Sequence, residues 1–349
     1  MKLAMAAVVA VVASAIGLGA LTMPAGARSD PSLPPVSPED LVASVLSAEI
    51  PAFGGTITVH NELGLPALPG LPEFTPLTQP ETTLRAWSDG QGHSRLAVPS
   101  RNGEKVLIDD GTTLWRYDSA ARTATAVEHG AQSAKRHTPM TEPTQAARDL
   151  VGAVSKNSTV TVDGTGYVAG RPVYQLVLTP APTERTLLRE VRVAIDLVTR
   201  IPLQLTVLGN GSPDPVLQIG FSDLNVGTQD PALFQFTPPA GVKIERSQPS
   251  NKEPPGPRDA AGAMISTQGD GWDTVVLGKL PSARPDTEHP DSEQGDPLAL
   301  VQQIGQPASG PWGQGWVVRT AVVTVLVTSD GRVAAGAVPQ QVLDEALTR

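Results

Sequence analysis

The chain has 349 residues, 40% of them hydrophobic, which is enough for one large domain and a smaller one. Charged residues make up only 17% and the net charge is −9. With no basic face or basic run, nucleic acid is excluded as a partner. There is no cysteine, so disulfides, thiol chemistry, Cys-based zinc and lipidated cysteine are excluded too.

The N-terminus reads as an export signal. Lys2 supplies the positive charge, an apolar run follows from Leu3 to Met23, and Ala25-Gly26-Ala27 is an A-x-A cleavage site. Residues 1–27 are therefore expected to be a signal peptide. The run is also close to the length of a spanning helix, so an uncleaved anchor is the second reading. Either way the body of the protein is expected outside the cytoplasm, secreted or held at the outer face of the membrane.

Next comes SPEDLVASVLSAEI. Ser37 is a good N-cap, Pro38 takes the first helical position, and Asp40 completes a capping-box-like pair. Leu41, Val42, Val45 and Leu46 form one apolar stripe, and Pro51 ends the helix.

From there the pattern is β. GTITVHNEL, TTLRAWSDG, HSRLAVPS, GEKVLIDDG, TTLWRYDS and TATAVEH are expected as consecutive strands, joined by the turn signals SDGQG, NG and DDG. Their alternation predicts an antiparallel sheet. The helix TEPTQAARDLVGAVS follows, with Ala146, Leu150, Val151 and Val154 on one side. Five more strands then run through STVTVDGTGYVA, RPVYQLVLTP, LLREVRVAIDLVT, IPLQLTVLG and PVLQIGFSDLNVG, and DPALFQFTPPAGVKI closes the unit. This order predicts an α+β fold: one large, curved antiparallel sheet with helices laid on one face. Residues 247–261 read as a proline-rich linker. Residues 262–349 read as a small α+β module: a strand in WDTVVLGKL, a helix in LALVQQIG, a pair of strands around Ser329-Asp330-Gly331, and a closing helix in VPQQVLDEALTR.

Catalytic constellations are not found. The chain has no nucleophile elbow, P-loop, dinucleotide fingerprint or metalloprotease helix. GTGYVAG, from Gly164 to Gly170, reads as a hairpin turn. Asp109-Asp110 before Gly111 reads as a turn former rather than a carboxylate pair. The five histidines share no metal-like spacing. Asn157-Ser158-Thr159 matches a glycosylation sequon. The chain is thus read as a non-enzyme without metal or cofactor, with a hydrolase of unrecognised site as a weaker alternative.

VLIDDGTTLWRYDSAARTATA, from Val106 to Ala126, resembles the lipoprotein carrier (LolA-like) proteins, in which a D-G turn, a T-L-W-x-Y strand and a T-A-T strand follow in this order. AIDLVTRIPLQLTV resembles the family's D-x-x-T-x-x-P hairpin, here Asp196, Thr199 and Pro202. DPALFQFTPPAGVKI resembles its closing motif, here Asp230, Phe234, Phe236, Pro239 and Gly241. FGGTITV is similar to the start of the related RseB/MucB-like sigma-factor regulators, which share a two-domain layout. The resemblance implies a half-open β-barrel over residues 33–246, with an apolar concave face lidded by helices.

What it implies for function is a site for the acyl chains of lipids or lipoproteins, in a carrier or sensor at the outer face of the cytoplasmic membrane. The alternative is a regulatory protein that binds the extracytoplasmic part of a membrane anti-sigma factor. A transporter is a further conceivable partner, and the protein is read as a monomer.

LGLPALPGLPEFTPLTQP, from Leu63 to Pro80, is proline-stiffened and apolar. Leu65, Leu68, Leu71 and Phe74 make it either a lip at the cavity mouth or an arm folded back on its own domain. Trp87, Trp115 and Tyr117, with Val191 and Val193 and with Leu203 and Leu205, are the expected wall residues.

Overall fold

The computed structural model describes residues 31–64, 79–100, 102–128, 143–247, 266–280 and 297–348. The predicted signal peptide, the apolar arm at 65–78 and the predicted linker after Ser247 lie outside the described residues.

The first helix, α1 (Pro38–Leu46), starts as its sequence requires. The Asp40 backbone N–H donates to Ser37 Oγ at 3.1 Å, and the proline sits at the first turn, where no N–H is needed. Six strands follow: β1 (Ala52–Asn61), β2 (Glu81–Asp89), β3 (Ser94–Ser100), β4 (Gly103–Asp109), β5 (Thr113–Asp118) and β6 (Thr123–Glu128). Helix α2 (Pro143–Val154) separates them from β7 (Ser158–Val168), β8 (Arg171–Pro180), β9 (Leu188–Asp196), β10 (Pro202–Gly209) and β11 (Pro215–Val226).

These strands form one sheet in the order β12-β6-β5-β4-β3-β2-β1-β11-β10-β9-β8-β7, where β12 is Lys243–Ser247. All pairs are antiparallel except β12–β6. The sequence reading, which predicted an antiparallel sheet, missed that one. The closing motif carries the chain from β11 back across the sheet, so β12 arrives at the far edge in the same direction as β6.

The sheet is strongly curved. Four strand spacings separate β7 from β11, about 19 Å in a flat sheet, yet Cα atoms of the two strands come within 8 Å. A single apolar cluster accordingly joins Phe53 and Ile57 on β1, Leu84 on β2, Val168 on β7, Val173 on β8, Leu203 on β10 and Phe221 on β11. Helices α1 and α2 pack on each other and on β7.

A second sheet has the order β13-β14-β18-β17-β16-β15, all antiparallel. Its strands are β13 (Ser266–Gln268), β14 (Val275–Lys279), β15 (Gln306–Gly310), β16 (Gly313–Arg319), β17 (Thr324–Thr328) and β18 (Arg332–Gly336). Helix α3 (Pro297–Ile304) precedes β15. Helix α4 (Gln340–Thr348) closes the chain and buries Leu343 and Ala346 against Trp312, Val317, Leu326 and Ala334. The stretch read as one pair of strands is three, because WVVRTAVVTV breaks at a turn. Thr320 Oγ1 accepts the Val323 N–H at 2.9 Å and Thr320 N–H donates to Val323 O. A threonine hydroxyl makes this turn without glycine or proline, so the apolar pattern hid it.

Candidate functional site

Strand register carries one face across the large sheet. Val193 pairs with Leu205, Leu205 with Ile219, Ile219 with Val59, and Val59 with Thr82. Directly opposed residues share a face and successive residues alternate. Trp87 therefore faces the other way, and its neighbours in register, through Arg95 and Ile108 to Trp115, go with it. The wall residues expected from the sequence thus divide between two faces and cannot line one cavity.

On the helix-bearing face, Val193 is buried, and Val191 and Leu205 are half-buried. They join Tyr174, Leu176, Leu178 and Ile195, with Val160 and Val162 on β7. The helices supply Leu41, Val42, Val45 and Val154. Closure is incomplete. Leu41, Ala147 and Val151 are buried, but Val42, Val45, Val154, Val160, Val162, Val191 and Leu205 all keep part of their surface exposed. The result is an apolar seam between a two-helix cover and a curved wall. Leu203 lies one step outside it. A bulge between Pro202 and Gln204 breaks the β9–β10 register, and Leu203 packs with Phe53 and Phe221 instead.

One end of the seam is built by the hairpin motif. Asp196 is fully buried and accepts two hydrogen bonds from Arg171, at 2.7 and 2.8 Å. It also accepts the N–H groups of Val198 and Thr199 and the Thr199 hydroxyl. Burial alone would raise its pKa; these donors outweigh burial and hold it below the usual carboxylate value. Across the turn, the Arg200 guanidinium lies over the Tyr174 ring, 5.4 Å from its centroid. The Tyr174 hydroxyl donates to Pro34 O at 3.0 Å.

On the opposite face, Trp115 and Tyr117 each stack on Phe236 with centroids 5.3 Å apart, and Trp87 joins them over Ala97, Val106 and Ile108. The closing motif is thus a cover. Asp230 caps its turn through the Ala232 N–H, and Phe234 is buried beside His93. Gly241 takes φ +76° where Arg122 Nη2 donates to Ala240 O. Next to this cover is an open cleft of about 390 Å³, lined by Arg85, Trp87, Arg95, Glu104, Asp230 and Leu233. Arg95 Nη1 donates to Leu233 O, its guanidinium lies 6.0 Å from Trp87, and Glu104 is 3.9 Å away. The lining carries two cations and two anions.

Leu65, Leu68, Leu71 and Phe74 lie outside the described residues. The root of their arm is placed: Leu63 O accepts the Ala321 N–H of the second sheet's β16–β17 turn at 2.9 Å. The sequence reading missed the β8 wall (Tyr174, Leu176 and Leu178), whose parity is masked in the sequence by the buried Val173 and Val177 on the other face. It also missed Trp272, Arg200 and the charged cleft, which depend on partners far away in the chain. Among the described residues, no group of three His, Asp or Glu could hold a metal, and no helix is long and apolar enough to cross a membrane.

No family model and no curated protein matches the chain. Solved structures do. The MucA/MucB complex of Pseudomonas aeruginosa is similar over 88% of this chain and 94% of that one, at 16% identity and a TM-score of 0.46. The crystal structure of MucB is similar over the same shares, at 18% identity and a TM-score of 0.42. A LolA superfamily protein from Nitrosomonas europaea is similar over 58% of this chain and 99% of that one, at 12% identity and a TM-score of 0.24. Among the solved structures to which the chain is similar are thus MucB and a LolA-superfamily protein.

Proposed function

We propose that this chain is an exported, non-enzymatic binder of acyl chains from lipids or lipoproteins, acting as carrier or sensor at the outer face of the cytoplasmic membrane. The observation that carries this reading is the seam. A helix cover that were simply part of a core would seal the valines and leucines beneath it, because their burial is what drives packing. Here Val160, Val162, Val191 and Leu205 are left only partly buried, and an acyl chain is the ligand that would complete their burial. The test fills the seam from within. In Val191→Trp and Leu205→Trp, uptake of a fluorescent fatty acid should fall roughly ten-fold or more with Tm nearly unchanged. Undiminished uptake in both variants would sink the reading.

A second reading has its own support in the charged cleft beside Trp87. Its balanced cations and anions suit a polypeptide partner better than a hydrocarbon. On that reading the protein is a regulator that holds an extracytoplasmic segment of a membrane protein, such as an anti-sigma factor. Arg85→Glu would then abolish partner capture while leaving fatty-acid uptake untouched.

A further inference from the structure

Arg200 has a buried nitrogen with nothing to bind. The residue adopts φ +61°, a left-handed conformation uncommon for a residue with a side chain. The guanidinium is steadied by the Tyr174 ring, and that ring is fixed by its hydroxyl's bond to Pro34 O. Arg200 Nη1 is nevertheless buried without a hydrogen-bond partner. The nearby Asp196 carboxylate does not serve it. Asp196 is occupied by Arg171 on both oxygens and by the Val198 and Thr199 donors on one of them. Leaving a charged donor unpaired in a buried position is among the costlier defects a fold can carry, so a retained one calls for an acceptor from elsewhere.

The position of Arg200 says what acceptor. Tyr174 is the first of the three buried β8 residues that build the seam, so the guanidinium stands at the end of the apolar wall. We propose that Arg200 is the headgroup anchor of the seam, receiving the carboxylate or phosphate oxyanion of an acyl ligand whose chain lies along Leu176, Val193 and Leu205. The proposal rests on the acyl-binding reading above and adds to it the ligand's charge and polarity. A guanidinium is well matched to this role, because it stays charged and its planar fork fits the paired oxygens of a carboxylate or phosphate. An acyl ligand without an oxyanion would gain the wall and leave Nη1 unsatisfied.

The test compares palmitic acid, hexadecanol and inorganic phosphate on the full chain, by displacement of a fluorescent acyl probe and by calorimetry. The acid should bind about ten-fold more tightly than the alcohol. Arg200→Gln should remove that preference by weakening the acid alone, and Arg200→Lys should keep part of it, which guards against a folding defect in the first variant. Phosphate without a chain should not bind measurably. Equal binding of acid and alcohol by the unaltered protein overturns the anchor but leaves the seam standing. Tight binding of free phosphate overturns it in favour of a small-anion site. Failure of both acid and alcohol to bind removes the acyl reading and the anchor with it.

Discussion

Asp196 shows why the hairpin motif carries these residues. Its aspartate, threonine and proline make a turn, with the carboxylate gathering Arg171, two backbone N–H groups and a hydroxyl. Because the folded pKa lies below the ordinary value of 3.8, the stabilisation is complete above that value. It is lost as pH falls through the lower, folded value. Asp196→Asn should cost about 3 kcal/mol at neutral pH, since it leaves Arg171 without its charge partner. It should also shallow the acid limb of a Tm-against-pH curve, and an unchanged limb would contradict the assignment. Asp110 plays a similar part in the D-D-G turn, accepting from Thr112 and Thr113. The turn reading of that pair was legible because turn chemistry is local. The orphaned nitrogen of Arg200 was not, because it depends on what fails to surround a side chain.

At the scale of elements, the strands of the large sheet were legible almost in full. Period-two alternation marks the strands, glycine marks several of their turns, and the order of six strands, helix and five strands follows from them. Which face a residue occupies was less legible. Trp115 and Val193 look equivalent in an alternating string, and only the register across β1 and β2 separates them. The helix cover was legible through its cap and stripe. If it is a lid, its stability should tune access. Ser37→Ala removes the acceptor for the Asp40 N–H and should cost about 1 kcal/mol. That loosening should speed fatty-acid entry and exit in stopped flow, whereas unchanged rates would mean the helix does not gate the seam. Phe236→Ala tests the other cover. It removes stacking on both Trp115 and Tyr117 and should cost roughly 2–3 kcal/mol by denaturant unfolding, without changing acyl uptake.

For the whole molecule, the informative contacts lie between the two sheets. Trp272 enters the same cluster as Leu41, Tyr174 and Val193, and its Nε1 donates to Ser158 Oγ at 2.7 Å. The Trp272 and Asp273 N–H groups both donate to Glu184, Arg185 forms a two-pronged ion pair with Glu345, and Leu187 N–H donates to Ala337 O. Ser158 belongs to the sequon, which is thereby built into this junction. In the sequence, Trp272 read only as the head of a strand; a docking partner 114 residues away leaves no local pattern. The sheets should therefore melt together. Trp272→Ala should split the calorimetric transition in two, while Trp272→Phe keeps the packing and costs about 1 kcal/mol. A single transition in the alanine variant would show that the junction lies elsewhere.

The most direct measurement of the central claim is the content of the seam. The protein, purified from its native cells and extracted with organic solvent, should yield close to one equivalent of an acyl lipid by mass spectrometry. The Leu205→Trp variant should come out empty. An unaltered protein that carries no lipid and takes up no fluorescent fatty acid would mean that the helices and the curved wall form an ordinary core. The function would then have to be sought in the charged cleft.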